Sequence, residues 1–279
     1  MRILVTGANG YLGQGVIKQL LEYGYTVIAT DLDDNFIDKR AIIKCVNVFD
    51  LDDPYNFFEK PDVLLHMAWR DGFVHNSHNH LIDLPKHYFF IHKMIRSGIK
   101  HIAVLGSMHE IGFYEGSINE YTPTNPQSLY GVSKNALRKA VELDCSSDVT
   151  FQWLRGFYIV GNTINGSSIF SKIVQAVNEG KKEFPFTMGL NQFDFLDYGI
   201  FCKFVADTII QNEINGIINI CSGRPEKLAD RVEKFIKENN YDIKLIYGIF
   251  PDRPYDSKAI WGDDIKISLI EKKRKREKL

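Results

Sequence analysis

Short apolar runs alternate with segments of helical apolar spacing along most of this chain. Residues 2–6 form a strand-like run that ends in glycines, and residues 16–23 follow with apolar side chains at helical spacing. Further strand-like runs occupy 25–30, 100–106, 150–155 and 217–222, and further helical patterns occupy 81–97, about 130–144 and 168–178. The alternation predicts an α/β protein, built on a doubly wound parallel sheet with helices on both faces.

Composition and charge narrow the class of protein without indicating a reaction. The 279 residues are 44% hydrophobic and 25% charged, which is typical of a globular chain with a substantial core. A formal net charge of −1 gives no overall attraction to nucleic acid or to a membrane surface. Four scattered cysteines without C-x-x-C spacing argue against a zinc site or a disulfide framework. Because no signal-peptide pattern or membrane-spanning run is present, we expect a soluble cytoplasmic protein that binds neither nucleic acid nor membrane.

Three glycines follow the first strand-like run, at Gly7, Gly10 and Gly13. Glycines permit a tight turn and a close approach of the backbone to a pyrophosphate, whose charge interacts with N–H groups at the start of the next helix. Asp31 ends the second strand-like run, at the distance where a carboxylate accepts hydrogen bonds from an adenosine ribose. The pattern predicts a dinucleotide site. An acid there repels a 2′-phosphate and favours NAD(H) over NADP(H), although Lys39 and Arg40 follow nearby.

Tyr130 and Lys134 stand four residues apart, so on a helix both side chains project from one face. A phenol alone is a poor proton carrier at neutral pH, because its ordinary pKa is about 10. A neighbouring ammonium favours the phenolate, so we expect Lys134 to lower the pKa of Tyr130 and to make it a proton donor or acceptor. The alternative interpretation is a half-buried tyrosine and a solvated lysine on an ordinary helix.

The glycine spacing together with Y-x-x-x-K resembles the extended short-chain dehydrogenase/reductase family, the NAD-dependent epimerase/dehydratase group that acts on nucleotide sugars. The resemblance covers nearly the whole chain. Residues 62–69, D-V-L-L-H-M-A-W, are similar to the family's fourth strand, which usually reads D-V-V-I-H-L-A-A. Residues 106–112 are similar to its S-S-x-x-V-Y-G segment, and residues 192–197 are similar to its R-D-F-I-H-V segment without the arginine.

The resemblance implies which residues bind the cofactor. Asn47 and Val48 take the place of the family's D-L pair beside adenine, and Phe157 begins the segment beside the nicotinamide. The implied cofactor site comprises Gly7, Gly10, Tyr11, Leu12, Gly13, Asp31, Leu32, Asn47, Val48, Met67, Ala68, Trp69, Tyr130, Lys134 and Phe157. No metal is expected, because the hydride chemistry of this family needs none.

The resemblance also implies a catalytic set of Ser107, Tyr130 and Lys134. Ser107 takes the position of the catalytic serine or threonine, whose hydroxyl donates to a carbonyl oxygen that gains negative charge as hydride arrives. The implied substrate contacts are Ser107, Met108, His109, Tyr158 and Arg253. Arg253 stands in an R-P-Y-D stretch similar to the family's R-P-G-D element, whose arginine binds the nucleotide diphosphate. In many epimerases of the family, asparagine stands in the place of Tyr158.

Sugar-nucleotide dehydratases of the family carry an acid directly after the catalytic hydroxyl, where it removes a proton from the sugar. This chain has Met108 and His109 at those places, and Glu110 comes one residue late. The resemblance therefore disfavours dehydration and favours NAD(P)H-dependent reduction of a 4-keto nucleotide sugar, such as dTDP-4-dehydro-6-deoxyglucose, in deoxyhexose and surface polysaccharide biosynthesis. Two alternatives stay open: a nucleotide-sugar 4-epimerase with the same catalytic residues, and a non-catalytic regulator that senses NAD(P).

Three histidines, His75, His78 and His80, crowd one polar loop. A zinc site is one interpretation, but no carboxylate or cysteine completes the set, and we expect these residues to line or cover the substrate pocket. His109 is a candidate for proton exchange with the sugar, with a packing or solvent-facing histidine as the alternative. The strongly basic residues 271–279 are predicted to be a solvated tail.

The predicted domain organisation follows the resemblance. Residues 1–160 are expected to form the cofactor-binding Rossmann domain, to which strands from about 192–222 return. Residues 161–191 and 223–279 are expected to form a small substrate-binding portion at the carboxyl-terminal side. Family members often pair through two helices into a four-helix bundle, so the resemblance also implies a homodimer.

Overall fold

The computed structural model describes residues 1–164, 166, 168–251 and 257–277. The strands are, in chain order, β1 (Arg2–Thr6), β2 (Thr26–Thr30), β3 (Ile42–Ile43), β4 (Val63–His66), β5 (His101–Ser107), β6 (Gly116–Ile118), β7 (Thr150–Gly156), β8 (Tyr158–Val160), β9 (Glu183–Pro185), β10 (Gln192–Asp197), β11 (Gly216–Ile220), β12 (Pro225–Lys227), β13 (Lys244–Ile246) and β14 (Ala259–Gly262). The α-helices are α1 (Tyr11–Glu22), α2 (Pro54–Phe57), α3 (Asn79–Arg96), α4 (Leu129–Asp144), α5 (Ile169–Asn178), α6 (Tyr198–Ile209), α7 (Leu228–Glu238) and α8 (Ile265–Glu277).

The main layer is a seven-stranded sheet in the order β11-β7-β5-β4-β1-β2-β3. Its paired strands are all parallel. The order of the strands reverses at β1, which is the arrangement of dinucleotide-binding α/β folds, here with one additional strand at the β11 edge. The predicted doubly wound parallel sheet is therefore confirmed.

Successive residues of β1 explain why the strands read as continuous apolar runs. Ile3 and Val5 pack into the core on the side of α1 and α6, whereas Leu4 packs into the core on the side of α3 and α4. All three side chains are fully buried, because adjacent residues of a strand point to opposite faces and helices cover both faces. A strand of this kind has no polar face, so its sequence does not alternate.

A second, five-stranded sheet contains β12, β10, β14 and β6 in that order, and β8 pairs with β10. This sheet and the separate β9–β13 pair form the small domain, whose core includes Phe170, Phe195 and Phe235. Of the strands within 192–222 that were predicted to return to the Rossmann sheet, β11 joins the main sheet, whereas β10 joins the second sheet. Four successive residues of β10 are buried, as in a strand of the main sheet, and only the pairing of β10 with β14, β8 and β12 reveals which sheet it joins.

The carboxyl-terminal segment also differs from expectation. Residues 265–277 form α8, and its Ile267 and Ile270 are buried in the core beside α1 and α6, so this helix packs on the Rossmann part. Lys273 forms an ion pair with Glu213, and Arg274 lies over the ring of Tyr23. Up to Glu277, the basic run thus belongs to a packed helix and is not the predicted solvated tail. No helix of the described residues is long and apolar enough to cross a membrane.

Candidate active site

The candidate site lies where the carboxyl ends of β1, β4 and β5 meet. Parallel strands bring Thr6, His66 and Ser107 to the same edge of the sheet, and the loop after each strand continues from that edge. Helix α4 begins beside this edge because the side chain of Ser128 caps it, accepting a hydrogen bond from the backbone N–H of Gly131 at 3.1 Å. The cap fixes the first turn of α4, which carries Tyr130.

The glycine loop between β1 and α1 is packed too closely for side chains. Gly7 has φ +69°, and a Cβ at this position would lie 2.7 Å from the backbone nitrogen of Ala68. A Cβ on Gly13 would lie only 2.2 Å from the carbonyl oxygen of Gly7. Helix α1 begins after Gly10 with no side-chain cap, so the N–H groups of its first turn are available to an anion. These features fit a dinucleotide pyrophosphate.

Tyr11 and Leu12 open α1 beside this loop. The ring of Tyr11 stacks on Tyr198 with the centroids 4.3 Å apart, and the Tyr198 hydroxyl donates to the Tyr11 carbonyl at 2.6 Å. Leu12 packs against the core that α1 shares with α6. Tyr11 and Leu12, both predicted cofactor residues, thus fix the first turn of α1 against α6.

Asp31 lies at the end of β2 and is bound to the glycine loop. One carboxylate oxygen accepts from the backbone N–H of Asn9 at 2.9 Å, and the other accepts from the N–H of Leu32 at 2.8 Å. Leu32 is 73% exposed. The nearby cations are already paired, Lys39 with Asp34 and Arg40 with Asp38. Neither is left as an unpaired cation for a 2′-phosphate, and the site therefore fits NAD better than NADP.

Asn47 and Val48, predicted to lie beside adenine, form a turn after β3. Asn47 accepts from the backbone N–H of Phe49 at 3.3 Å and donates to Asp50 at 2.9 Å, so its amide caps the short 3₁₀ turn Val48–Asp50. The side chain of Val48 is buried in the core on the α3 side. The asparagine that replaces the family's aspartate thus has a structural role within the chain.

A buried chain of hydrogen bonds links β1 to α3 beneath the site. The Thr6 hydroxyl oxygen accepts from the backbone N–H groups of Met67 and Ala68, both at 3.2 Å, and lies 2.8 Å from Nδ1 of His66. Because both lone pairs of the hydroxyl are occupied, the Thr6 hydroxyl donates to His66, whose Nε2–H then donates to Nδ1 of His87 at 2.8 Å. Burial lowers the pKa of His87 to about 3, which keeps the chain neutral. The chain fixes the backbone of Met67 and Ala68.

Trp69 lies between the two catalytic positions of α4 and the histidines of α3. Its ring stacks on His87 with centroids 4.4 Å apart, and the ammonium of Lys134 lies 3.8 Å from the indole centroid. The indole N–H donates to Nδ1 of His80 at 3.1 Å. The position where the family usually has alanine thus carries a large aromatic side chain that contacts Lys134 directly, as a cation–π interaction.

Ser107, Tyr130 and Lys134, predicted from two separate motifs, come together at this edge. The Ser107 side chain lies near enough to the Tyr130 hydroxyl to lower its pKa. The ammonium of Lys134 lies 5.9 Å from the centroid of the Tyr130 ring and donates to the carbonyl oxygen of Leu105 at 2.8 Å. The structure therefore places a hydroxyl, a phenol and an amine within one small site.

The protonation of this set differs from the sequence prediction. Burial raises the pKa of Tyr130 to about 12, and the neighbouring Ser107 side chain offsets this only in part. Burial lowers the pKa of Lys134 to about 7. In the chain by itself the pKa of Tyr130 is therefore raised and not lowered as predicted, because desolvation disfavours the charged form of the buried phenol.

The loop between β4 and α3 covers Tyr130. The carbonyl of His75 accepts from the backbone N–H of Tyr130 at 2.8 Å, and the His75 ring stacks on the Tyr130 ring at 5.6 Å and 12°. His109 lies 4.4 Å from His75, ring to ring, and burial lowers the pKa of His109 to about 4. His80 is also beside Tyr130, at 5.3 Å. His75, His80 and His109 thus lie around the phenol, and the low pKa keeps His109 neutral at neutral pH. His78, the third histidine of the predicted loop, is exposed at the start of α3.

Within the described ranges, no group of three or more histidine, cysteine, aspartate or glutamate side chains is placed to hold a metal ion. The nitrogens of His80 have other partners, since Nδ1 accepts from Trp69 and Nε2 lies 3.0 Å from the Val74 carbonyl. The histidine loop is therefore best described by its contacts with Tyr130.

Some predicted substrate and cofactor residues lie in the core of the small domain. Met108 and Phe157 are only 6% and 7% exposed and belong to that core. Tyr158 is half-buried, with its ring 4.6 Å from that of Phe193. The position of a residue in a motif does not reveal which way its side chain points. Met108, Phe157 and Tyr158 pack against the core of the second sheet. Arg253 lies outside the described residues.

Sequence reasoning missed a group of charged residues beneath the site. Glu110 is fully buried, and its carboxylate faces two buried arginines, Arg138 and Arg155. Two signals were present in the sequence: an arginine inside the apolar strand that becomes β7, and an arginine four residues after Lys134 on the same helix face. The His66–His87 chain was also missed, and no local pattern pairs those two residues.

Comparison with known proteins agrees with this geometry. The model of the NAD dependent epimerase/dehydratase family matches residues 3–221. A protein of Aggregatibacter actinomycetemcomitans named dTDP-6-deoxy-L-talose 4-dehydrogenase (NAD(+)) is 40% identical over 271 residues, which cover 94% of this chain and 99% of that protein.

Two solved structures show the same fold at low sequence identity. The UDP-N-acetylglucosamine 4-epimerase of Methanobrevibacter ruminantium has a TM-score of 0.83 at 17% identity and covers 96% of this chain and 91% of its own. The UDP-glucose 4-epimerase of Thermus thermophilus, solved with NAD, has a TM-score of 0.79 at 16% identity and covers 96% and 92%. Together with the family match and the 40% relative, the assembled Ser107, Tyr130 and Lys134 lead to one conclusion: this chain is an enzyme of the NAD dependent epimerase/dehydratase family, within the extended short-chain dehydrogenases/reductases.

Proposed function

We propose that the protein interconverts the 4-hydroxyl and 4-keto groups of a dTDP-linked 6-deoxyhexose, with NAD(H) as its cofactor. The observation that carries the proposal is the assembly of Ser107, Tyr130 and Lys134 at the carboxyl edge of the sheet. The relative that shares 40% identity over nearly the full length of both chains is named for oxidation of a dTDP-linked sugar at C4 with NAD(+). Reduction of a 4-keto sugar is the same reaction in the opposite direction.

The roles of the three residues follow from their contacts. Bound NAD(H) supplies or accepts the hydride at C4. Tyr130 transfers the accompanying proton to or from the sugar oxygen, and Ser107 donates a hydrogen bond to the same oxygen. Lys134 holds the ribose of the cofactor and supplies positive charge beside Tyr130 when it is protonated. His75, His80 and His109 exclude water from one side of the phenol, as their ring contacts with Tyr130 indicate.

The structure of the loop after Ser107 disfavours dehydration. The carboxylate of Glu110 accepts from the backbone N–H of Ser107 and from the indole N–H of Trp153, and its side chain is fully buried. A carboxylate bound in this way cannot remove a proton from a sugar. The two preceding residues, Met108 and His109, carry no acid.

The cofactor choice rests on the charges around Asp31. Its carboxylate lies at the position where a 2′-phosphate would be repelled, and both cations that could compensate are paired with Asp34 and Asp38. The relative named above uses NAD(+), and several of the structural neighbours were solved with NAD. We therefore expect NAD(H) to support turnover at least about tenfold better than NADP(H) at equal concentration.

The direct test is incubation with dTDP-6-deoxy-L-talose and NAD⁺, and with dTDP-, GDP- and UDP-linked 4-keto sugars and NADH, followed by identification of products by NMR. We expect one NADH formed for each C4 hydroxyl oxidised, or one consumed for each ketone reduced. Interconversion of C4 epimers without net change in NADH absorbance would show a 4-epimerase instead. Binding of NAD⁺ without turnover of any sugar would favour the non-catalytic regulator.

We also propose that the protein is a homodimer joined through α3 and α4. These helices pack on one another and expose apolar side chains at helical spacing, Ile82 and Phe89 on α3 and Val132 and Leu143 on α4. Their exposed fractions range from 40% to 88%. Two pairs of such helices, one pair from each subunit, bury these side chains against one another in a four-helix bundle.

Phe89→Glu is expected to convert the dimer to a monomer, because the substitution places a charge in the apolar contact. Light scattering after size-exclusion chromatography measures the mass directly. Tyr121→Glu, at an exposed aromatic residue outside both helices, is the matched control and should remain dimeric. A wild-type protein that runs as a monomer at micromolar concentration would contradict the proposed dimer.

A further inference from the structure

Glu110 connects the backbone of Ser107 to the interior of the protein. One carboxylate oxygen, Oε1, accepts from the N–H of Ser107 at 2.7 Å and from Nε1 of Trp153 at 2.8 Å. The Ser107 side chain in turn accepts from the N–H of His109 at 3.3 Å, so Ser107 and Glu110 cap the turn Met108–Glu110 reciprocally. The orientation of the Ser107 hydroxyl therefore depends on where this carboxylate is held.

Two guanidinium groups face the other carboxylate oxygen at ion-pair distance, without a hydrogen bond to it. Oε2 of Glu110 lies 3.6 Å from Nε of Arg138 and 3.7 Å from Nη2 of Arg155. The side chains of Glu110 and Arg155 are 0% exposed, and that of Arg138 is 8% exposed. Charges buried to this degree cost much desolvation energy, and hydrophobic residues of the same size would fill the space at less cost. Stability alone does not account for three of them.

The three charged residues come from three different elements. Glu110 ends the turn after β5, Arg155 lies on β7, and Arg138 lies on α4 one helical turn beyond Lys134. Arg155 is further fixed by donating to the Asn119 carbonyl at 3.1 Å. The carboxylate thus links the strand end that carries Ser107 to the helix that carries the two other catalytic residues.

We infer that Glu110, held between Arg138 and Arg155, is a positioning residue that sets Ser107 against Tyr130 and balances the charge beneath Lys134. The inference rests on the proposed function, and it adds three residues to which the reaction scheme above gives no role. The negative charge of Glu110 raises the pKa of both Tyr130 and Lys134, although burial has the larger effect on each of them.

The titratable groups around Lys134 determine how each substitution changes its pKa. The ammonium faces Tyr130 on its own helix, Glu110 on the turn after β5, His66 on β4 and His87 on α3. Burial lowers the pKa of both histidines, to about 3 for His87, so they stay neutral in the neutral pH range. Removal of the Glu110 charge is therefore expected to lower the pKa of Lys134. Removal of the Arg138 charge, one helical turn along α4, is expected to raise it, because a neighbouring positive charge disfavours the ammonium.

The experiment compares Glu110→Gln and Arg138→Met with Glu142→Gln. Glu142 pairs with the same Arg138 at 3.2 Å but is 55% exposed, so it is a matched control. The pKa of Lys134 is measured by NMR titration of protein labelled at the lysine ε-carbons, with Lys134→Met to assign the resonance. Because the ordinary lysine pKa is about 10.4, a group that titrates near 7 stands apart from the rest. The titration needs no turnover.

We expect the Lys134 titration to move to lower pH in Glu110→Gln, to higher pH in Arg138→Met, and to stay unchanged in Glu142→Gln. In turnover, Glu110→Gln should lower kcat by about 10- to 100-fold with little change in the KM for NAD⁺, because a misplaced hydroxyl affects chemistry more than binding. Glu142→Gln should keep the wild-type rate.

Unchanged titrations, or shifts of the same sign in both variants, would overturn the inference. An unaltered kcat in a folded Glu110→Gln variant would overturn it as well. If Glu110→Gln does not fold, the sign of the shift in Arg138→Met decides. A wild-type protein that turns over no nucleotide sugar contradicts the proposed function, while the NMR titrations still decide whether the charged residues act on Lys134.

Discussion

Tyr130→Phe is expected to lower kcat by about 10²- to 10⁴-fold while the protein still binds NAD⁺ with nearly wild-type affinity. The substitution removes one hydroxyl and keeps the ring, so the stacking with His75 and the edge contact with Trp69 persist. What is lost is the group that carries the proton to or from the sugar oxygen. Ser107 stays in place and can still polarise the sugar oxygen.

Steady-state kinetics with the sugar and cofactor, together with NAD⁺ titration by tryptophan fluorescence, separate these two effects. Tyr121→Phe removes a hydroxyl from a tyrosine that is 84% exposed and should leave both quantities unchanged. A Tyr130→Phe enzyme with more than about a tenth of the wild-type kcat would rule out the proposed proton transfer.

Gly13→Ala is expected to weaken NAD⁺ binding by about 100-fold or more. The added Cβ would meet the Gly7 carbonyl oxygen at 2.2 Å and the Ala8 carbonyl oxygen at 2.9 Å, and both are backbone atoms that cannot move aside alone. The loop must shift away from α1, which separates the N–H groups that a pyrophosphate needs. Loss of two charge-assisted hydrogen bonds, at about 1.5–3 kcal/mol each, accounts for a loss of this size.

Isothermal titration calorimetry measures the affinity, and a thermal melt without cofactor shows whether the variant is folded. Gly199→Ala is the matched control, because a Cβ at Gly199 in α6 meets no other atom within 4 Å and alanine is the better helix former. Wild-type affinity in Gly13→Ala would show that the close packing of this loop does not control cofactor binding.

Sequence patterns predicted the structure correctly wherever residues close together in the chain determine it. The glycine spacing at Gly7, Gly10 and Gly13 predicts a turn that opens a helix, and the structure has that turn with Gly7 in the left-handed region. The four-residue spacing of Tyr130 and Lys134 predicts one helix face, and both residues lie in the first half of α4. In each case, backbone geometry within a few residues fixes the outcome.

Prediction failed where a long-range contact decides. The direction of the Tyr130 pKa depends on how completely the loop with His75 and the ring of Trp69 exclude water, and spacing along α4 carries no information on that. Met108 and Phe157 illustrate the same limit, because the second sheet turns both side chains into its core. The sequence shows Glu110 only as an acid one residue beyond the usual position, because its partners Arg138 and Arg155 come from other elements.

The sequence by itself determined the alternation of strands and helices and the glycine turn, because each follows from the preferences of adjacent residues. Only the tertiary structure decided that β10 belongs to the second sheet, that α8 packs beside α1 and α6, and that Glu110 lies between Arg138 and Arg155. The physical reason is common to all three. Strand pairing, burial and ion pairing join residues far apart in the chain, and their energies depend on the water excluded when those residues meet.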